Sequence, residues 1–356
     1  MVRLMKKSTI YHIFLFLSTF TRGLVEVFSL VLLYKKGFTV DTIFWFLLMM
    51  YLIGMVVNYI SLKIPYKIIL VISSFLYGIS FLYLSFMKVN FLSLVLLAIL
   101  LASSNYSYHV IRHLLAIRLL KNQKRKTNHI VLITYFGVIG SSILGIYLID
   151  SLSLVVTSVI VFILSFIAII PILRLEERNE KWKKEKVSLG KDKIWFSILE
   201  QFKVLFLEIQ PLFLYIYVEQ SISYVGVFQI IVNIASLIVV YFLTKKNYKK
   251  YFKYLSFTLG LVFLLKLNIK SSIILWNLAF IEGIFVKMYE NVSLDNLYDI
   301  GLNSPKNYLM VEEFIFFGSK SLIMLLTCLF HFNIYIVLYL SIGGMIASGW
   351  FIHENT

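Results

Sequence analysis

The sequence predicts an all-α polytopic membrane protein with twelve transmembrane helices in two six-helix bundles. Three observations predict it. Of the 356 residues, 60% are hydrophobic and the mean hydropathy is +0.87, against roughly 45–50% apolar residues in soluble domains. A soluble fold of this length could not bury so much apolar surface. The apolar residues gather into runs near the roughly 20 residues that a spanning helix needs. Finally, Lys and Arg alternate between dense and sparse in the segments that separate those runs. Barrel strands are about ten residues long and alternate in polarity, a pattern these runs do not show.

The predicted spans are 10–33, 41–60, 68–87, 91–117, 129–149, 153–173, 194–216, 224–243, 252–268, 272–290, 308–329 and 333–352. The first follows a short basic segment with Arg3, Lys6 and Lys7. It is too long for a signal-peptide core and reads as a retained, continuous helix. The ninth is the shortest in apolar content, running from 255 to 265 and ending at Lys266. An inside N-terminus places the basic segments around Lys63, Arg118–Lys126, Arg174–Lys193 and Lys245–Lys253 in the cytoplasm. Only Lys35, Lys36, Lys88, Lys266 and Lys270 then fall outside. The expected setting is a plasma membrane with both termini cytoplasmic. The longest polar segment, 174–193, divides the chain into a bundle at 1–173 and a bundle at 194–356. Two bundles joined this way can rock around a central site.

The net charge of +16 and pI near 9.6 are explained by cytoplasmic loops, so nucleic acid is not an expected partner. Cys328 is the single cysteine, which excludes an intrachain disulfide and a cysteine-built metal site. No G-x-x-x-x-G-K-[ST] loop is present, so ATP is not an internal energy source. No cofactor, metal or enzymatic signature is expected, and the chain reads as monomeric.

The layout resembles the major facilitator superfamily over nearly the whole length. The segment GMVVNYISLK (54–63) is similar in position to that family's glycine, aspartate and basic loop motif, with Gly54 and Lys63 in place. Asn58 stands where the acid is usual, and the second glycine is missing. The matching segment of the second half, YFLTKKNYKK (241–250), keeps Lys246, Lys249 and Lys250 without acid or glycines. The resemblance implies a charge-paired latch between the bundles, weakened here by Asn58. In the fifth span, Gly137, Gly140 and Gly145 resemble the glycine-rich pattern of antiporters without its Gly-Pro pair. Close packing through small residues explains the same pattern.

Ionisable residues inside a span cost about 2.5–3.5 kcal/mol at its centre on insertion scales and so mark cavities or partners. Arg22 and Glu26 are spaced i,i+4 in the first span and are expected to pair on one helix face. Arg112 lies in the fourth span beside His109 and His113, whose i,i+4 spacing could bind a metal but lacks a third ligand; either histidine could relay protons. Glu208 precedes Gln210 and Pro211 in the seventh span, and Pro211 invites a kink. Glu282 is central in the tenth span, with Lys287 and Glu290 beyond it. Glu312 and Glu313 open the eleventh, where acids favour the helix dipole, and Lys320 lies deeper. A Glu282–Lys320 contact is expected. Arg22, Glu26, Arg112, Glu208, Glu282 and Lys320 are therefore the principal candidates for substrate and proton coupling. His109, Lys287, Glu290, Glu312 and Glu313 are secondary.

The expected function is secondary transport by alternating access, with protons and a small molecule as partners within the lipid bilayer. Export of an amphiphilic or drug-like compound by an antiporter is the first expectation. A proton-coupled importer of a small nutrient is an alternative. A membrane immunity, sensory or assembly protein that kept the fold without transporting is another.

Overall fold

The structure is a computed structural model that describes residues 2–120, 124–174, 190–243, 249–301 and 305–351. Twelve helical spans follow one another and match the twelve apolar runs. The first is made of α1 (Val2–Gly23), a 3-10 turn (Glu26–Phe28) and α2 (Ser29–Lys35). The others are α3 (Val40–Ser61), α4 (Tyr66–Phe86), α5 (Phe91–Leu120), α6 (Lys124–Ser151), α7 (Leu154–Leu173), α8 (Lys191–Tyr217), α9 (Ile222–Leu243), α10 (Phe252–Asn268), α11 (Ser272–Gly301), α12 (Pro305–Leu329) and α13 (Ile334–Ser348). Among the described residues, eight spans are both long and apolar enough to cross a membrane unaided. The other four are explained by their neighbours. Charges interrupt α8 and α12, which line a cavity, and α10 and α13 are short.

Several starts are legible in the sequence. Thr39, Ser153 and Asn333 each turn a side-chain oxygen onto a backbone N–H three residues on, at the heads of α3, α7 and α13. Such N-caps satisfy donors that a helix start leaves open.

Two findings correct the sequence reading. The first span is not one continuous helix, because the chain leaves the α conformation between Gly23 and Ser29. Lys266 does not lie in an outer loop either. It sits in the last turn of α10 and is buried to 1% exposure.

The helices form two groups of six. In the first, α4 packs on α5 and α7, α3 on α5, and α1 on α6 and α7. In the second, α9 packs on α11, α8 on α13, and α10 on α11 and α13. The groups meet along two seams, α3 against α12 and α6 against α9. The polarity is inverted as lipid requires. On α7, Val155, Val159, Ile163, Phe166 and Ile170 face outward, while Thr157, Ser158 and Ser165 are buried against the bundle. Ser158 meets Ser85 of α4 there. Small and hydroxylated residues inside let backbones approach closely.

Candidate functional site

The break in the first span creates the geometry of the interior. At Gly23 the α conformation stops, and Glu26 begins a tighter turn aimed into a cavity of about 500 Å³ between the two groups of helices. Helices α1, α3, α5, α6, α8, α9 and α12 all contribute to its wall.

Arg22, Glu26, Arg112 and Glu208 line this cavity, as do His109, His113 and Glu313. Arg22 is only 4% exposed. Its guanidinium lies between the rings of Tyr77 (4.4 Å) and Tyr108 (4.2 Å). It donates to the Asn105 side-chain oxygen and to the Ser104 carbonyl at 3.3 Å. Tyr77 in turn donates to the Arg22 carbonyl at 2.8 Å, an acceptor freed by the end of α1. The Asn105 amide donates onward to Glu26 at 3.4 Å. The expected direct Arg22–Glu26 pair is therefore not formed. The spacing i,i+4 presumes a helix, and the helix ends between the two residues.

Glu208 is held from both groups of helices. The Tyr51 hydroxyl of α3 donates to one carboxylate oxygen. The Lys320 ammonium of α12 donates to the other at 2.6 Å. Lys320 is 0% exposed, whereas Glu208 keeps part of its surface in the cavity. Seven residues along each helix, Asn58 of α3 donates to Glu313 of α12 at 2.9 Å. Between these two contacts Gly54 faces Tyr106 and Phe317, and a Cβ there would approach the Tyr106 ring at 2.7 Å. Asn58 thus still joins the helix groups through hydrogen bonding, where the loop motif would use charge.

The expected Glu282–Lys320 contact is replaced by two separate pairs. Glu282 of α11 takes the Lys266 ammonium of α10, with both side chains 1% exposed. The Gln210 amide completes that group, its nitrogen toward Glu282 at 3.1 Å and its oxygen toward Lys266. Phe228 and Phe263 cover the ammonium at 4.5 and 5.4 Å. Glu282 consequently lies outside the cavity wall.

The remaining candidates are dispersed. Lys287 pairs with Glu290 at 3.4 Å and lies over the Tyr135 ring of α6. Glu312 accepts from Ser197 of α8 at 3.0 Å and from Tyr308 at 3.3 Å, so it does more than cap a helix start. Lys63 sits over Tyr59. Lys250 is exposed in the turn before α10, the Lys249 side chain lies outside the described residues, and so does Lys246. Most of the charged segment 174–193 is outside them as well. Tyr51, Asn105 and Lys266 were not among the predicted site residues. Their only sequence signal was a polar or basic group within or beside an apolar run.

No protein-family model matches the chain, and no curated protein matches it in sequence. Its fold is similar to that of two solved transporters. The crystal structure of a bacterial homologue of the iron transporter ferroportin, in an outward-facing state, is similar with a TM-score of 0.68 at 10% identity. A mutant of the nucleoside transporter NupG is similar with a TM-score of 0.69 at 12% identity. Each similarity covers 97% of this chain and 98% of the other.

Proposed function

We propose that this chain is a secondary transporter working by alternating access, with 1–173 and 194–356 as the two moving bundles and 174–193 as their cytoplasmic link. The supporting observation is Glu208, a cavity carboxylate bound at once by Tyr51 of the first bundle and Lys320 of the second. Glu208 and Lys320 belong to the same bundle, so the Tyr51 hydrogen bond is the one that crosses. Protonation would weaken it and release Lys320 within the second bundle, linking proton binding to bundle separation through one group. The cargo is a small amphiphile exported against proton entry across the plasma membrane, by a monomer with both termini in the cytoplasm. One structural neighbour is named as a homologue of an iron transporter and the other as a nucleoside transporter. Neither cargo is transferred to this chain.

The test is compound-dependent proton movement in liposomes that hold a pH-sensitive dye. The purified chain should move protons with an amphiphile from a mixed panel, and Glu208→Gln should abolish that signal while remaining folded. Undiminished proton movement in Glu208→Gln would remove Glu208 from the coupling step. A folded protein that moves no protons with any compound would count against proton coupling altogether.

A further inference from the structure

Among the described residues, the buried charges are nearly all answered by the protein itself. Lys203 meets Glu200, Lys266 meets Glu282, Lys287 meets Glu290, and Lys320 meets Glu208. Arg22 meets no carboxylate within ion-pair distance, but two acceptors and two rings hold it. Arg112 differs from all of these. It lines the cavity and is half-buried. Among the described residues it makes no ion pair within 4 Å and no hydrogen bond; it contacts the Tyr108 ring at 5.9 Å and feels the longer-range attraction of Glu26, Glu290 and Glu313. That ring already carries Arg22 at 4.2 Å on its face. Two guanidinium groups therefore share one tyrosine, and one of them keeps its donors open toward the cavity.

An open guanidinium inside a span is costly unless something satisfies it. Its five donors form a planar fork that matches carboxylate and phosphate oxygens in pairs. Near α5 and α12 the wall also offers the aromatic rings of Tyr106, Phe316 and Phe317, beside the polar side chains of Asn105, His109, His113 and Glu313. We infer that the cavity binds an organic anion, whose carboxylate or phosphate is received by Arg112 and whose apolar or aromatic body lies against Tyr106, Phe316 and Phe317. Arg22, fixed between Tyr77 and Tyr108, adds positive potential without giving up its own partners. This names the cargo class of the transporter reading and rests on that reading for transport, though not for binding.

The experiment uses the full chain in lipid nanodiscs and four probes: phenylbutyrate, phenyl phosphate, methyl phenylbutyrate and phenylbutylamine. Calorimetric binding is measured for the natural sequence, Arg112→Gln and Arg112→Lys. The natural sequence should bind at least one of the two anions, and the better of them defines the head group. The ester and the amine should bind at least about tenfold more weakly, as expected when a charge-assisted hydrogen-bonding pair is lost. Arg112→Gln should lose about tenfold or more for the anion and nothing for the ester. Arg112→Lys keeps the charge without the fork and should fall between, which separates recognition from misfolding. Equal binding of ester and acid, an unchanged affinity in Arg112→Gln, or no binding of either anion would each overturn the inference. Uptake assays with the same probes in liposomes distinguish the two readings. Transport of the ester or amine without the anions keeps the transporter and discards the anion site. Anion binding that depends on Arg112 without transport of any probe keeps the site and discards the transporter.

Discussion

At the scale of single residues, the buried pairs differ in what they can do. Lys266 and Glu282 are sealed at 1% exposure each and have no cavity surface. Removing one member leaves a buried charge unanswered, whereas removing both can be nearly neutral. Glu282→Gln should therefore lower stability by about 3–5 kcal/mol, and Lys266→Met combined with Glu282→Leu should recover most of it. Thermal unfolding of the three variants in detergent reads this directly. A double variant as unstable as the single one would show that shape, not charge, is what the site requires. The sequence displayed every one of these charges but not their partners. Glu208 and Lys320 are 112 residues apart, and only local spacing is legible without the fold. Lys266 was misassigned because it closes a short apolar run, where a loop lysine and a buried one look alike. Burial became possible because Gln210, Phe228 and Phe263 converge on it from other helices. Nothing in the run 252–268 announces them.

At the scale of helices, all twelve spans were readable because lipid imposes the same demand on each: satisfied backbone and an apolar exterior over a fixed length. The break in the first span was not readable. Gly23 precedes it, but glycine is ordinary in membrane helices, and the residues that follow are as apolar as those before. Contacts that hold the break come from other helices: Tyr77 of α4 donates to the Arg22 carbonyl, and α6 packs against Leu24. Gly145 packs so tightly on the broken segment that a Cβ there would come within 2.3 Å of the Leu24 carbonyl oxygen. Gly140, one and a half turns earlier, would place a Cβ at an ordinary 3.6 Å from the Phe20 ring. The glycine pattern of the fifth span thus has an explanation in close packing against α1. Gly145→Ala should cost about 1–3 kcal/mol, the range for overpacking against groups that cannot give way. Gly140→Ala should change stability little. Comparing the two melting curves tests the assignment, and equal effects would mean that the approach at Leu24 does not constrain α6.

At the scale of the whole molecule, the two groups of helices are joined at opposite ends by different contacts. Along α3 and α12, Tyr51–Glu208–Lys320 and Asn58–Glu313 are spaced by seven residues, about 10 Å of helix. Along α6 and α9, Ser223 donates to Asp150 where α6 ends and α9 begins. A cavity that opens alternately to each side must break one set while keeping the other, because both sets closed leave no route and both open make a pore. Cys328 is buried, so a Cys328→Ser background makes introduced thiols the only reactive ones. In it, Asn58→Cys with Glu313→Cys, and separately Asp150→Cys with Ser223→Cys, should each be joined by a short reducible thiol cross-linker. Either cross-link should stop uptake of the cargo in liposomes, and reduction should restore it. A cargo that shifts the bundles should also raise cross-linking at one seam while lowering it at the other, since one equilibrium governs both. Transport that continues with either seam locked would contradict rocking about these contacts. Seams that respond to cargo in the same direction would point instead to a change in which both close together.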